Sequence, residues 1–455
     1  MALLKHQRNR LIVLAVLMLL GVVAFLGLRG ILPIFRQENV AINVHPPVTL
    51  NLWNVFEDKD IYEEFISDYI ALNPYVKINY NKINYIEYRE KLLDSFANGT
   101  SPDIFAIQNT WLPLDQNRIA PAPSSLSTVT LFKEIYPSVV SFDFARETED
   151  GERIVYALPL AIETLGLFYN KDYFETANIT SPPKTWEELI DYAKLFTQLD
   201  DSGKIKLSGI SLGTAENINR AVDIVSLLMM QGGARMNNPL LTEATFDDEI
   251  QVGEGEKKIL YKPGEEALEF YLAFSDNTQS VYSWDEDMSY SIDAFVEGKS
   301  AMMINYPHHI PVIEGKAPHL NFATSPIPQL QERSEDVNFA SYWGFTVSEN
   351  SLNTDEAWKF VDFLAQPENV KKYVEKTQLP VARRDLILWQ QQDEQLRNFT
   401  NQILSARSWY HGDYAAVEKI LGDMIDSAKR GDQTIEEALA DAAARITVVI
   451  QKIRE

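Results

Sequence analysis

The chain has 455 residues, no cysteine and a formal net charge of −24 at pH 7. This length exceeds that of one typical domain and predicts two. Without cysteine there is neither a disulfide nor a lipid-modified N-terminal cysteine, so the fold depends on its hydrophobic core. The acidic balance argues against nucleic acid or anionic lipid as a partner.

The N-terminus has the pattern of a membrane anchor. An apolar run from Leu11 to Leu28 follows three basic residues among the first ten. About 18 residues at about 1.5 Å each cross the core of a bilayer, and the basic flank predicts a cytoplasmic N-terminus. A cleaved signal peptide is the alternative, but the run is long and no small-x-small cleavage site closes it. We therefore predict a cytoplasmic tip and transmembrane anchor over 1–36, a linker over 37–47 and an extracytoplasmic remainder.

After the linker, strand patterns alternate with helix patterns. Runs of β-forming residues predict strands at 48–55, 76–83 and 103–108, and helical spacing predicts helices at 60–72 and 86–98. This order predicts a parallel α/β sheet. A second block repeats the alternation, with strands expected at 165–169, 300–305 and 339–347 and helices at 185–199, 219–230, 265–276 and 289–297. The C-terminal third is expected to be helical at 354–364, 367–376, 393–406, 415–429 and 435–455.

Several blocks are distinctive enough to compare with known families. They are 156–163 (YALPLAIE), 167–172 (LFYNKD), 182–189 (PPKTWEEL), 295–305 (FVEGKSAMMIN) and 431–439 (GDQTIEEAL). In this order they resemble the family 1 extracellular solute-binding proteins, and the resemblance covers nearly all of the predicted exported part.

The resemblance implies a fold and a function. The implied fold is an α/β, two-lobed, periplasmic-binding-protein-like clamshell with three interlobe crossings, expected near 162–165, 321–326 and 365–368. Lobe one would then comprise 48–162 plus 325–366, and lobe two 165–322 plus 367–455. The implied function is that of a monomeric, cofactor-free binding protein, not an enzyme, which captures a carbohydrate and passes it to the permease subunits of an ABC-type importer.

Candidate ligand-binding residues follow from the chemistry of sugars and from the strand ends. A sugar cleft needs aromatic platforms together with carboxylates and amides, and open α/β sheets bind ligands at the carboxyl ends of their strands. Adjacent residues on a strand point to opposite faces, so only one of Trp53 and Asn54 is expected to reach the cleft. The predicted ligand-binding residues are Trp53, Asn54, Glu57, Asn109, Trp111, Glu163, Tyr306, His308, Trp343, Gly344 and Tyr414.

Within this set, the family positions favour Trp111 and Trp343 as ligand contacts. The chain carries Tyr306-Pro307-His308 after Asn305, where maltose-binding members of the family resemble Gly-Pro-Trp. An aromatic platform is therefore displaced or replaced, which argues against maltodextrin specificity.

Other functions stay open at this point. The same fold could present its ligand to a signalling receptor, or bind a peptide, a polyol phosphate or a polyamine. Glu57 and Glu163 could be the two carboxylates of a glycosidase, although no catalytic motif supports this. A histidine metal site is disfavoured, because the only close pair, His308 and His309, is adjacent in sequence and would point opposite ways on a strand.

Overall fold

The structure is a computed structural model that describes residues 2–28, 46–148, 150–252, 259–331 and 335–452. The chain divides into two compact units, Met1–Pro47 and Val48–Glu455. In the first unit, a helix spans Ala2–Leu28, and its side chains are described at Arg10 and at 13–25. In the described part of the chain, no helix is long and apolar enough to cross a membrane. The predicted anchor is therefore not confirmed.

The second unit is a mixed α/β fold built on a six-stranded sheet. Three parallel strands from the predicted β-α-β-α-β segment form one half, and antiparallel pairs around a late strand complete it. In the first strand Val48, Leu50, Leu52 and Asn54 are buried, as alternation requires. In spatial order the strands are Val76–Lys82, Val48–Asn54, Ile104–Gln108, Trp343–Ser348 and Ile119–Ala120, and Leu158–Pro159 also pairs with Trp343–Ser348.

Two large hydrophobic cores lie in this unit. Core one is formed by residues within 48–162 and 340–387 together with Ile403 and Ala406, and core two by residues within 165–339 and 409–450. A smaller cluster around Phe168 and Phe399 packs beside core two's antiparallel sheet. That sheet consists of Met302–Asn305, Gly166–Asn170 and Phe322–Pro326. Three two-stranded pairs also form: Gln198–Leu199 with Ile205–Leu207, Ile250–Val252 with Ile259–Tyr261, and Ala145–Glu147 with Arg153–Val155.

Helices cover both cores. Thr434 and Glu437 form a complete capping box at the start of the last helix: the Thr434 hydroxyl accepts from the Glu437 backbone N–H at 3.2 Å, and the Glu437 carboxylate accepts from the Thr434 N–H at 2.9 Å. The helices of the N-terminal half are Lys59–Leu72, Tyr85–Ala97, Leu112–Asp115, Ser127–Thr130, Phe132–Ile135, Ser138–Phe144, Lys171–Thr176, Trp186–Phe196 and Ala221–Gly232. Those of the C-terminal half are Pro263–Ala273, Ser291–Val296, Ile310–Lys316, Thr354–Leu364, Pro367–Thr377, Ile387–Gln390, Arg397–Gln402, Tyr414–Arg430 and Ile435–Lys452.

The chain passes between the two cores at 162–165, 339–340 and 406–409. Each passage includes a strand of one small three-stranded sheet, which we name the hinge sheet: Glu163–Thr164, Asn338–Ser341 and Ala406–Arg407. The second and third passages differ from the expected crossings at 321–326 and 365–368.

Two elements differ from their expected bounds because the chain enters the hinge sheet. The expected strand 339–347 is split at Tyr342, because its first part belongs to the hinge sheet and its second part to the six-stranded sheet. The expected helix 393–406 ends early, because the chain enters the hinge sheet at Ala406. Val370 and Val374, which were expected in lobe two, lie in core one, and Ile327, expected in lobe one, lies in core two.

Candidate functional site

A cleft of about 610 Å³ is lined by side chains of both cores and of the hinge sheet. Nine of the eleven residues predicted from the sequence line it. They are Asn54, Glu57, Trp111, Glu163, Tyr306, His308, Trp343, Gly344 and Tyr414. Their positions along the chain are far apart, so the fold brings them together.

The other two predicted residues, Trp53 and Asn109, do not line the cleft. Trp53 points away from Asn54 along the strand and packs half-buried against core one. The Asn109 side chain is buried, and its amide donates to the Asp143 carboxylate at 3.0 Å while its oxygen accepts from Gln108 at 2.7 Å. Asn109 therefore supports the wall of the cleft and does not face it.

The core-one side of the cleft has an aromatic wall of Phe56, Tyr85, Trp111 and Trp343. The Trp343 ring packs edge-on against Trp111 and Phe56, with centroids 5.1 and 5.5 Å away, and Phe56 stacks on Tyr85 at 5.7 Å. Phe56 and Tyr85 are each 50% exposed, whereas Trp111 is 8% exposed. Exposed ring faces of this kind are suited to an apolar ligand surface.

Glu57 lies at the edge of this wall and is held by uncharged donors. The Tyr373 hydroxyl donates to Oε1 at 2.6 Å, and the Asn54 amide donates to Oε2 at 2.7 Å. Burial, together with the nearby Glu57 charge, raises the pKa of Tyr373 well above its usual value, so the phenol stays a donor. The carboxylate is thereby fixed in orientation with acceptor capacity left for a ligand.

Core two contributes a polar wall of Arg220, Tyr306 and Tyr414. The Tyr306 and Tyr414 hydroxyls donate to the two oxygens of the buried Asp223 carboxylate at 3.0 and 3.3 Å. The guanidinium of Arg220 lies over the Tyr306 ring at 5.4 Å and donates to the Tyr414 hydroxyl at 3.3 Å. This wall carries oriented hydrogen-bonding groups with little uncompensated charge.

The hinge sheet places Glu163 at the base of the cleft. Its Oε2 lies 2.6 Å from Nδ1 of His308 and accepts the His308 backbone N–H at 3.3 Å. The His308 ring also stacks on Tyr306, with centroids 5.8 Å apart. Glu163 thus connects the first passage of the chain to the polar wall.

Gly344 lines the cleft for a packing reason. A Cβ at this position would lie 2.7 Å from the Phe144 ring and 3.3 Å from the Ala157 Cβ. The glycine therefore allows the late strand to pack closely on core one, and no ligand contact is needed to explain it.

Several cleft residues were missed by sequence reasoning. They are Phe56, Tyr62, Tyr85, Gln108, Arg220 and Tyr373. Phe56 follows a predicted strand end and could have been found by extending that argument. Tyr373 and Tyr85 lie in helices, and Arg220 precedes one, so no strand-end rule reaches them. Across the described residues, no group of three or more His, Cys, Asp or Glu side chains could hold a metal ion.

Asp143 lies behind the cleft, where it binds Tyr342, and its burial makes the stability of the fold depend on pH. Its carboxylate accepts from Tyr342 at 2.6 Å and from Ser408 at 2.5 Å, yet burial raises its pKa to about 6. Because the folded-state pKa lies above the unfolded value of about 3.9, this contribution to stability is complete below about pH 4 and is lost as pH rises through 6.

The Asp143→Asn variant should remove this dependence. We expect the stability of the wild type to fall relative to the variant by about 2 kcal/mol between pH 4 and pH 7. Urea unfolding of both proteins at a series of pH values measures the difference, in which other titrating groups cancel. Parallel stability curves would show that Asp143 does not titrate in this range.

Comparison with known proteins gives consistent matches. The chain is 25% identical over 404 residues to a relative in Brucella abortus (strain 2308), with 86% of this chain and 90% of the relative aligned. It is 24% identical over 329 residues to the maltotriose-binding protein of Pyrococcus abyssi, with 70% of this chain and 63% of that protein aligned.

Among solved structures, the cyclic α-maltosyl-1,6-maltose binding protein of Arthrobacter globiformis shares the fold with a TM-score of 0.71 at 20% identity. The match covers 89% of this chain and all of that one. Residues 55–371 match the family model described as bacterial extracellular solute-binding protein. The chain is therefore a member of the bacterial extracellular solute-binding protein family.

Proposed function

We propose that this chain captures a carbohydrate in the cleft and delivers it to an ABC-type importer. The observation that carries the proposal is the pairing of the aromatic wall, in which Phe56 and Tyr85 are exposed, with oriented polar groups on the opposite core. Sugar rings present apolar faces and hydroxyl edges, which these two walls match. The maltotriose-binding and cyclic maltosyl-maltose-binding relatives support the same substrate class.

The two cores correspond, in this proposal, to two lobes that hold the ligand between them. The hinge sheet joins the lobes, so lobe one comprises 48–162 with 340–387, and lobe two comprises 165–339 with 409–450 and the segment around Phe399. A ligand that contacts Trp343 and Tyr306 together would link the lobes and favour their closed arrangement. The complex would then be recognised by the permease subunits, and the binding protein itself would act as a monomer.

The carbohydrate proposal is tested by titration calorimetry of the purified chain. The panel contains mono- and oligosaccharides, including maltotriose and mannotriose, with a peptide, a polyamine and glycerol phosphate as alternatives. We expect one carbohydrate to bind with a stoichiometry near one and to remain chemically unchanged. If only the peptide, the polyamine or glycerol phosphate binds, the proposed substrate class is refuted. Consumption of the sugar would favour a glycosidase.

Attachment to the membrane through the N-terminus is a separate part of the proposal. It is supported by the apolar run from Leu11 to Leu28 and the basic residues before it. Alkaline extraction of membranes from cells producing the full chain tests it: the protein should stay with the membrane, and complete release would contradict the anchor.

A further inference from the structure

Arg220 has a buried donor in the cleft that no protein group uses. The guanidinium Nε is shielded from solvent and has no hydrogen-bond partner. A buried donor without a partner is costly, so most such groups in native structures are paired with protein, water or ligand. Arg220 lines the same cleft as the aromatic wall, so a ligand can meet the guanidinium where it faces the cleft, while the Nε–H itself lies behind that surface.

The backbone holds Arg220 in a conformation that is rare for a residue with a side chain. Its φ is 65° and its ψ is 25°, in the left-handed region, immediately before the helix Ala221–Gly232. The preceding residue is tied down, because the Asn219 N–H donates to the Ser291 hydroxyl at 2.9 Å. Residues held in such conformations concentrate at ligand sites. The left-handed backbone of Arg220 therefore accompanies a position in the lining of the cleft.

The charge of Arg220 is already balanced within its own wall. Burial is the largest single influence and lowers the pKa of Arg220, but Asp223, Tyr414 and Tyr306 together outweigh it, so the net pKa of Arg220 is raised. Asp223 is itself fixed by the Tyr306 and Tyr414 hydroxyls. Glu163 and Glu57 line the same cleft. Arg220 can therefore donate a directional hydrogen bond to a ligand oxygen, while the nearby carboxylates offset its positive charge.

We propose that Arg220 is a specificity-determining residue that donates to a hydroxyl or ring oxygen of a neutral sugar. This inference rests on the proposed function. The sugar's apolar face lies against Phe56 and Trp343 while its oxygen edge meets the Arg220 guanidinium. A carboxylated sugar is disfavoured, because Asp223 already neutralises the guanidinium and the facing carboxylates repel a second anion.

Three variants test the assignment by calorimetry, with maltotriose, mannotriose, glucose and glucuronic acid as probes. Arg220→Met removes the donors. Arg220→Met combined with Asp223→Asn also removes the carboxylate that would be left without its counter-charge. Arg220→Lys keeps the charge but loses the planar donor set. Arg445→Met is the control, because Arg445 pairs with Asp423 and Asp441 outside the cleft.

We expect each Arg220 variant to bind the neutral sugar about 10- to 100-fold more weakly than the wild type, and the control to bind within twofold. The affinity of the wild type should change little between 0.05 and 0.5 M NaCl, as a neutral ligand requires. Melting temperatures identify variants that fold, so if the single Arg220→Met variant is unfolded, the double variant and Arg220→Lys decide the result.

Affinity within twofold of the wild type in any folded variant lacking the Arg220 guanidinium would overturn the assignment while leaving the proposed function intact. Tighter binding of glucuronic acid than of the neutral sugars would overturn the neutral-ligand part. If the wild type binds no sugar of the panel, the proposed function fails first and this inference fails with it.

Discussion

The Trp358→Ala variant should lose about 3–5 kcal/mol of unfolding free energy, the range typical of removing a fully buried tryptophan. Trp358 is 1% exposed in core one, within the helix Thr354–Leu364. Its indole Nε1 donates to the Ala120 carbonyl oxygen at 3.0 Å, on the edge strand of the six-stranded sheet. The substitution therefore leaves both a cavity and a carbonyl without its partner.

Urea unfolding followed by far-ultraviolet circular dichroism measures this loss. Trp389→Ala is the matched control, because that ring is only partly buried against core one, and we expect it to cost less than half as much. Trp358 does not line the cleft, so folded Trp358→Ala protein should bind ligand like the wild type. A loss below about 1 kcal/mol would contradict the packing described for core one.

The Trp343→Ala variant should bind the sugar about 10- to 100-fold more weakly, since loss of a stacking indole is worth about 1–3 kcal/mol. Trp343 lies at the start of the central antiparallel strand and packs against Trp111 and Phe56. Its removal takes away one platform and loosens a second. The melting temperature separates this effect from unfolding.

Trp53→Ala is the control for this experiment. Both tryptophans are partly buried against core one, but Trp53 does not line the cleft. Titration calorimetry of the two variants should show a weakened Trp343→Ala protein and an unchanged Trp53→Ala protein. Equal affinities in both would assign Trp343 to the core alone.

Local patterns in the sequence predicted most of the elements near the N-terminal sheet. The strand Val48–Asn54 and the helix Lys59–Leu72 lie within one residue of their expected bounds, because alternation and helical spacing act over a few residues. The strand expected at 339–347 was wrong as one element. Its division at Tyr342 depends on pairing with Glu163–Thr164, about 175 residues earlier, which no local pattern reports.

Some residues of the cleft could likewise be predicted from the sequence, and others could not. Strand-end reasoning placed Asn54 and Glu57 in the cleft, because the carboxyl ends of parallel strands meet at one edge of a sheet, and the family resemblance placed Trp343 there. It also proposed Asn109, whose side chain turns inward to Asp143 instead. Arg220 was missed, because its role depends on a left-handed backbone position and a buried donor, and neither can be deduced from residue type or spacing.

The central claim is that the cleft between the two cores holds the sugar. A crystal structure of the chain with the highest-affinity carbohydrate of the panel tests it most directly. The account predicts one sugar ring within van der Waals contact of Trp343 and a sugar oxygen within about 3.2 Å of a guanidinium nitrogen of Arg220. Sugar bound outside the cleft, or inside it without contact to either residue, would contradict the account.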